Sequence, residues 1–239
     1  MLYIWLALII LGVMLEIVFI LKESEGRLGV ATFFKGLASL MFVALGIFNY
    51  MEVVSYNIGI PIIIGLILGI IGDVLLNLRF MLKKEASTII FGIGITVFLA
   101  GHLMYIIALI ASSAEIIILA LVLTAILSAI AIPTQLKLLT IKSKGIKTVG
   151  VIYYVVVIAM FCTAISFPII NGISLFSCVF ILGALLFLIS DTLMIYYTFG
   201  KKTRFLRVAN LMLYYIAQVM IAMSIVAYSV SYVIYEIRF

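Results

Sequence analysis

Residues 183–197 read GALLFLISDTLMIYY. The run is apolar and suited to the interior of a bilayer, yet it carries a carboxylate, Asp191. An ionisable side chain at that depth is costly unless it faces protein or water, so it marks a functional site by default. Three other stretches repeat the arrangement: IIGDVLLN at 70–77 with Asp73, FLAGHLMY at 98–105 with the sole histidine, His102, and NLMLYYIAQ at 210–218 with Gln218. The chain reads as a membrane box that holds these few polar groups together.

Composition agrees. Of 239 residues, 67% are hydrophobic and 10% charged, against about 25% charged in an ordinary soluble domain. No long polar segment interrupts the apolar runs; the longest is the short interval around Lys137 to Lys147. One polytopic domain over 1–239 is expected, with no appended soluble module. The net charge of +6 does not point to nucleic acid, because the basic residues fall in the gaps between apolar runs, where membrane topology explains them. Cys162 and Cys178 both fall inside apolar runs and read as small core residues, with neither a disulfide frame nor a metal motif. The first run lacks a basic leader and a small-residue cleavage site, so it reads as a retained helix.

Eight apolar spans are predicted, making the chain all-α: Tyr3–Leu21, Phe34–Tyr50, Ile58–Leu78, Ile89–Ile110, Glu115–Pro133, Thr148–Ile170, Ile173–Phe199 and Phe205–Tyr235. Each is near the ~20 residues that cross a bilayer, and only helices satisfy their own backbone in lipid at this length. Basic residues alternate strictly. They follow the first span (Lys22, Arg27, Lys35), the third (Arg79, Lys83, Lys84), the fifth (Lys137, Lys142, Lys144, Lys147) and the seventh (Lys201, Lys202, Arg204, Arg207), leaving only Arg238 of the 15. The positive-inside rule then places these loops in the cytoplasm and both termini outside, in the cytoplasmic membrane if the protein is bacterial. Pro61, Pro133 and Pro168 read as boundaries of helices more than kinks. No internal repeat supports a duplicated-transporter plan.

Helical periodicity gathers the polar residues. Gly65, Gly69, Gly72, Asp73 and Asn77 share one face of the third span, and small residues there let another helix approach closely. Asp73 is thus expected in a tight interface, either bonding a neighbouring helix or doing chemistry. Gly94, Phe98, Gly101, His102 and Tyr105 share a face of the fourth span. A lone histidine is often a satisfied core residue, but imidazole titrates near neutrality and can move protons. In the seventh span the face holds Gly183, Ala184, Phe187, Ser190, Asp191 and Met194; in the eighth it holds Asn210, Tyr214, Ala217, Gln218 and Ile221, with Tyr215 adjacent. Gln218 and the tyrosines serve equally well as glue between helices. Lys35 is placed at the start of the second span, either snorkelling as an anchor or meeting a lipid phosphate. Glu16 reads as the internal partner of a basic group. Asp73, His102 and Asp191 form a conceivable metal triad, but one histidine and no ligand-spacing motif argue against it, and no cofactor is expected. A pair of buried carboxylates suits acid–base work, one held as an acid and the other kept ionised by its neighbours.

These motifs resemble a known family. GDVLL at 72–76, the G-x-G-x-x-x-F-x-x-G-H-x-x-Y pattern from Gly92 to Tyr105, GALLFLISD at 183–191 and YYIAQ at 214–218, in that order, are similar to the YhhN family of lysoplasmalogenase-like integral membrane proteins. The resemblance spans nearly the whole chain and fits eight helices. It departs at Lys35–Gly36, where the family often has a lysine–proline pair. The resemblance implies hydrolysis of the vinyl ether bond of lysoplasmalogens to a fatty aldehyde and glycerophospho-ethanolamine or -choline. The partners it implies are a lysophospholipid substrate and membrane lipids, with no nucleic acid and no obligate protein partner. On that reading Asp73 and Asp191 divide the acid and base roles. His102 orients a carboxylate or shuttles a proton. Lys35, Asn77, Tyr105, Ser190, Tyr214, Tyr215 and Gln218 place water and substrate. A proton-coupled carrier or lipid-binding protein built on the same cluster is the competing class, since carriers also use intramembrane Asp and His. A purely structural protein is the third.

Overall fold

The structure, a computed structural model, describes residues 1–52, 56–139, 141 and 143–238. Its helices are α1 (Leu2–Ser24), α2 (Leu28–Met51), α3 (Tyr56–Leu78), α4 (Lys84–Ser112), α5 (Ile117–Leu138), α6 (Lys144–Asn171), α7 (Leu175–Phe199) and α8 (Arg204–Arg238), with single 3₁₀ turns at Arg79–Met81 and Ala114–Ile116. Eight helices among the described residues are long and apolar enough to cross a membrane. The connections are short, so consecutive helices run antiparallel, and all but α4 and α5 also pack on each other. Gly26 and Gly172 take φ of 75° and 84°, left-handed conformations that glycine adopts without steric cost, and they turn the chain after α1 and α6.

Packing is organised as a ring. α2 packs on α3, α3 on α4, α4 on α6, α6 on α7, α7 on α8, and α8 returns to α2. α1 lies outside this ring against α2 and α8, and α5 lies outside it against α6. The difference shows in burial: 61% of the α8 span is buried but only 11% of the α5 span. The ring interior is apolar towards one end, through Phe42, Leu45, Ile58, Ile62, Leu66 and Phe180. The buried ionisable residues Lys35, Asp73 and Asp191 lie nearer the end where the α1–α2, α3–α4, α5–α6 and α7–α8 connections carry the basic residues. Lys142, one of these, lies outside the described residues.

The glycine faces do what close packing requires. A Cβ at Gly65 would fall on the Tyr105 ring, and one at Gly72 would stand 2.6 Å from Phe98 ring carbons. These glycines let α4 seat both rings against α3. Gly72→Ala is expected to destabilise by about 1–3 kcal/mol, the ordinary cost of overpacking. Gly92→Ala, whose Cβ meets nothing within 4 Å, should stay within about 0.5 kcal/mol of wild type. Thermal unfolding in detergent separates the two.

Several expected boundaries move. α2 begins at Leu28, not Phe34, so Lys35 sits roughly two turns inside the helix. The lysine imitated a membrane boundary because its counter-charge lies on another helix. α5 continues through Pro133 to Leu138, and Pro61 and Pro168 also lie inside α3 and α6. Proline is accommodated there because each stands within about two turns of a helix end. Cys162 is buried as expected, whereas Cys178 is exposed, on the outer side of α7 where a small apolar residue suits lipid as well as core.

Candidate active site

Asp73 and Asp191 line one cavity of about 40 Å³, space for a water molecule or so. Asp73 comes from α3 and Asp191 from α7; both are buried, at 5% and 3% exposure. Lys35, Asn77, Tyr153 and Tyr214 share the wall, and Arg79 and Arg207 stand at its basic end.

The Asp73 side is a chain of charges and hydroxyls. Lys35 is fully buried, and its Nζ donates to Glu16 Oε1 at 2.8 Å and Oε2 at 3.1 Å, while lying 3.8 Å from Asp73 Oδ1. The ammonium also sits 4.7 Å from the centre of the Tyr214 ring. Asp73 Oδ2 accepts from Ser39 Oγ at 2.5 Å and from Tyr214 Oη at 2.9 Å. Behind Tyr214, Gln218 Nε2 donates to Tyr214 Oη at 3.1 Å, and Tyr105 Oη donates to Gln218 Oε1 at 2.7 Å. Each buried polar group here has a partner, which is the condition for a buried network to stabilise. Asn77 Nδ2 donates to the Asp73 carbonyl at 2.8 Å, and Asn77 Oδ1 accepts from Arg207 Nη2 at 3.4 Å.

The Asp191 side is aromatic. Tyr153 Oη, from α6, donates to Asp191 Oδ2 at 2.6 Å. His102 Nε2 lies 3.2 Å from Tyr153 Oη and 3.6 Å from Asp191 Oδ2, and its Nδ1 lies 3.3 Å from the Met160 sulfur. The ring stands edge-on to Phe187 at 4.5 Å. A tyrosine hydroxyl has one proton, and with that proton on Asp191 its lone pairs are left for a His102 N–H. The three residues thus form a line along which a proton can move.

Structure sorts the expected residues. Asp73, Asp191, Lys35, Asn77 and Tyr214 reach the cavity. His102 reaches it through Asp191, and Tyr105 and Gln218 act behind Tyr214. Lys35 is neither an interfacial anchor nor a lipid contact: it is the partner of Glu16 and neighbour of Asp73, buried beyond reach of a lipid phosphate. Ser190 is a clasp between α7 and α8, donating to the Asn210 carbonyl at 3.0 Å and accepting from Asn210 Nδ2 at 2.9 Å. Tyr215 turns away towards α1, where a Cβ on Gly12 would meet its hydroxyl, and that hydroxyl has no hydrogen-bond partner among the described residues. The metal triad does not assemble: His102 approaches Asp191 and not Asp73, and among the described residues no three of His, Cys, Asp and Glu could hold a metal ion.

Sequence reasoning missed Ser39, Tyr153, Arg79 and Arg207. Ser39 was open to detection, since it follows Lys35 by four residues and so shares its helix face. Tyr153 gives no such signal, because a tyrosine in an apolar span is ordinary packing material. The arginines read in the sequence as topological charges. Ser190→Ala is expected to cost about 1 kcal/mol by taking the hydroxyl from the Asn210 carbonyl, while Asn210 Nδ2 keeps its bond to the Ser190 carbonyl at 2.9 Å and Asp191 stays in place. Unfolding temperature together with activity per folded molecule checks this.

No curated protein and no solved structure matches the chain. The YhhN family model matches residues 4–225, almost the whole length and every residue of the cavity described above, and the chain belongs to the YhhN family.

Proposed function

We propose that this membrane protein hydrolyses the vinyl ether bond of a lysophospholipid, releasing a fatty aldehyde and the glycerophospho head. The carrying observation is that two buried carboxylates with unlike partners share one water-sized cavity. Asp73 accepts two hydroxyl protons and has an ammonium beside it, the company of an anion. Among the described residues Asp191 accepts one hydrogen bond, at Oδ2, from a tyrosine backed by an imidazole, which leaves Oδ1 as the oxygen that holds and gives up a proton. Pairs of acids in contrasting environments divide acid and base roles in this way.

The steps balance. Asp191 gives its proton to the β carbon of the vinyl ether, the double bond breaks, and positive charge spreads over the α carbon and ether oxygen. Asp73 faces this cation. Water bonds to the α carbon and passes a proton to Asp73, forming a hemiacetal. The bond from that carbon to the glycerol oxygen then breaks. Asp73 returns its proton to the glycerol oxygen, and the hemiacetal hydroxyl proton returns to Asp191, directly or through Tyr153. The alkenyl chain lies among apolar helices, and the basic loops face the cytoplasm with both termini outside.

The test is aldehyde release from lysoplasmenyl-ethanolamine by purified protein in detergent. Turnover supports the reading; a carrier, which needs two compartments, gives none. Absence of release by demonstrably folded protein sinks it.

A further inference from the structure

The mouth of the cavity holds an unmatched cation. Arg207 Nε and Nη2 are both engaged by the Glu23 carboxylate, at 3.0 and 2.5 Å. Arg79 has no such partner: among the described residues no carboxylate lies within ion-pair distance of it. Its guanidinium lies over Phe80 at 4.6 Å and Phe91 at 4.3 Å. Aromatic contacts of this kind hold the planar group and leave its edge donors free for an oxyanion. Arg207 lies 5.8 Å from the same Phe80 ring, so two guanidiniums meet there with one carboxylate between them.

Arg79 belongs to the walls of two spaces. One is the inner cavity of Asp73 and Asp191; the other is an outer chamber of about 260 Å³ that also takes in Ser87, Thr88, Thr198 and Lys202. Among the described residues, no acidic side chain lines that chamber, and the buried Thr198 hydroxyl has no hydrogen-bond partner. A neighbouring chamber of about 420 Å³ holds Lys202, Arg204 and Arg207 together with Glu23, and there the Arg207 fork is already occupied by the Glu23 carboxylate. At about 30 Å³ per water, the 260 Å³ chamber has room for roughly nine waters' worth of ligand, enough for a phosphate with its substituent, whereas the inner cavity does not.

We propose that this outer chamber is a phosphate-binding subsite, with Arg79 as the anchoring cation and Lys202 as the second. The identity of the ligand as the phosphodiester of a lysophospholipid rests on the hydrolase reading; the anion site itself does not. Arg79 stands on the boundary between chamber and cavity. A phosphate held there places the far end of a three-carbon glycerol, with its ether oxygen, towards Asp73 and Asp191. The fork of Arg79 is the group that binds a phosphate through two parallel hydrogen bonds.

The experiment measures binding of sn-glycero-3-phosphoethanolamine and of inorganic phosphate to detergent-solubilised full-length protein by calorimetry at fixed ionic strength. The variants are Arg79→Gln, which keeps a planar group over the two rings, and Arg79→Lys, which keeps the charge without the fork. The expected result is that glycerophosphoethanolamine binds, and that Arg79→Gln weakens it about tenfold or more, as loss of a charge-assisted pair of bonds does. Arg79→Lys should fall between, and gives the same reading if the glutamine variant fails to fold. Tighter binding of the glycerophospho compound than of phosphate identifies a lipid head; equal binding identifies a site for free phosphate. No binding of either probe to folded wild type, or binding indifferent to both substitutions, overturns the site. Aldehyde release is read separately. Arg79-dependent binding without turnover leaves the subsite standing and removes the hydrolase reading. Turnover with KM unchanged in Arg79→Gln does the reverse; the proposal expects KM to rise about tenfold, with kcat falling less.

Discussion

Asp191→Asn is expected to lower aldehyde release by about 10²–10⁴-fold, the range for loss of a positioned proton donor. Asparagine keeps the shape and still accepts from Tyr153, so the variant should fold. It cannot carry the proton that the β carbon must receive. Tyr153→Phe should cost less, because it closes one of the two routes by which the hemiacetal proton returns to Asp191 and leaves the acid in place. Asp73→Asn should match the Asp191 loss, for a different reason. It removes the negative charge facing the oxocarbenium ion and the acceptor for the water proton, while Ser39 and Tyr214 can still hydrogen-bond to the amide oxygen. If instead both asparagine variants retain near-wild-type rates per folded molecule, the two carboxylates belong to the packing and not to the chemistry.

Lys35→Met is expected to produce the largest loss of stability. Lys35 and Glu16 are both entirely buried, and they meet at 2.8 Å. Removing one partner of a buried ion pair costs about 3–5 kcal/mol, because the other charge is left uncompensated in a low-dielectric surrounding. Against a total stability of about 5–15 kcal/mol for an ordinary protein, that is a large share. For a chain of this size it corresponds to a fall in unfolding temperature on the order of 10 °C. Removing both charges, as in Glu16→Leu with Lys35→Met, should restore most of the loss, since an apolar pair often replaces a buried ion pair without penalty. Activity should not return with it, because Asp73 then lacks the ammonium 3.8 Å away. Thermal unfolding and aldehyde release, measured on both variants, separate the structural part of the lysine from its part in the site. A Lys35→Met protein that melts with wild type would show that the pair is not the counter-charge system described.

The sequence made the eight helices and their buried faces legible because both rest on local periodicity. Asp73 and Asn77 share a face with Gly65, Gly69 and Gly72 for the same reason that they lie in the interface: three- and four-residue steps bring them there. Glu16 reads from the sequence as the partner of a basic group, and Lys35 is that group. What periodicity does not contain is which face meets which. Lys35 looked like a boundary anchor until α1 supplied its carboxylate. Ser190 sits beside Asp191 in the chain, yet adjacent residues on a helix point about 100° apart, and its hydroxyl goes to Asn210 on α8. Tyr214 and Tyr215 divide in the same way, one to Asp73 and the other towards α1. Tyr153 is found only by closing the ring of helices, which brings α6 against α4 and α7.

The most direct test of the central claim is hydrolysis of lysoplasmenyl-ethanolamine by the purified protein in D₂O, with the products read by mass spectrometry. The account predicts one deuterium on the carbon next to the aldehyde, delivered by the enzyme's acid, with this product lost from Asp73→Asn and Asp191→Asn made to the same folded yield. Aldehyde without deuterium at that carbon, or labelled aldehyde formed as fast by both variants, would contradict it.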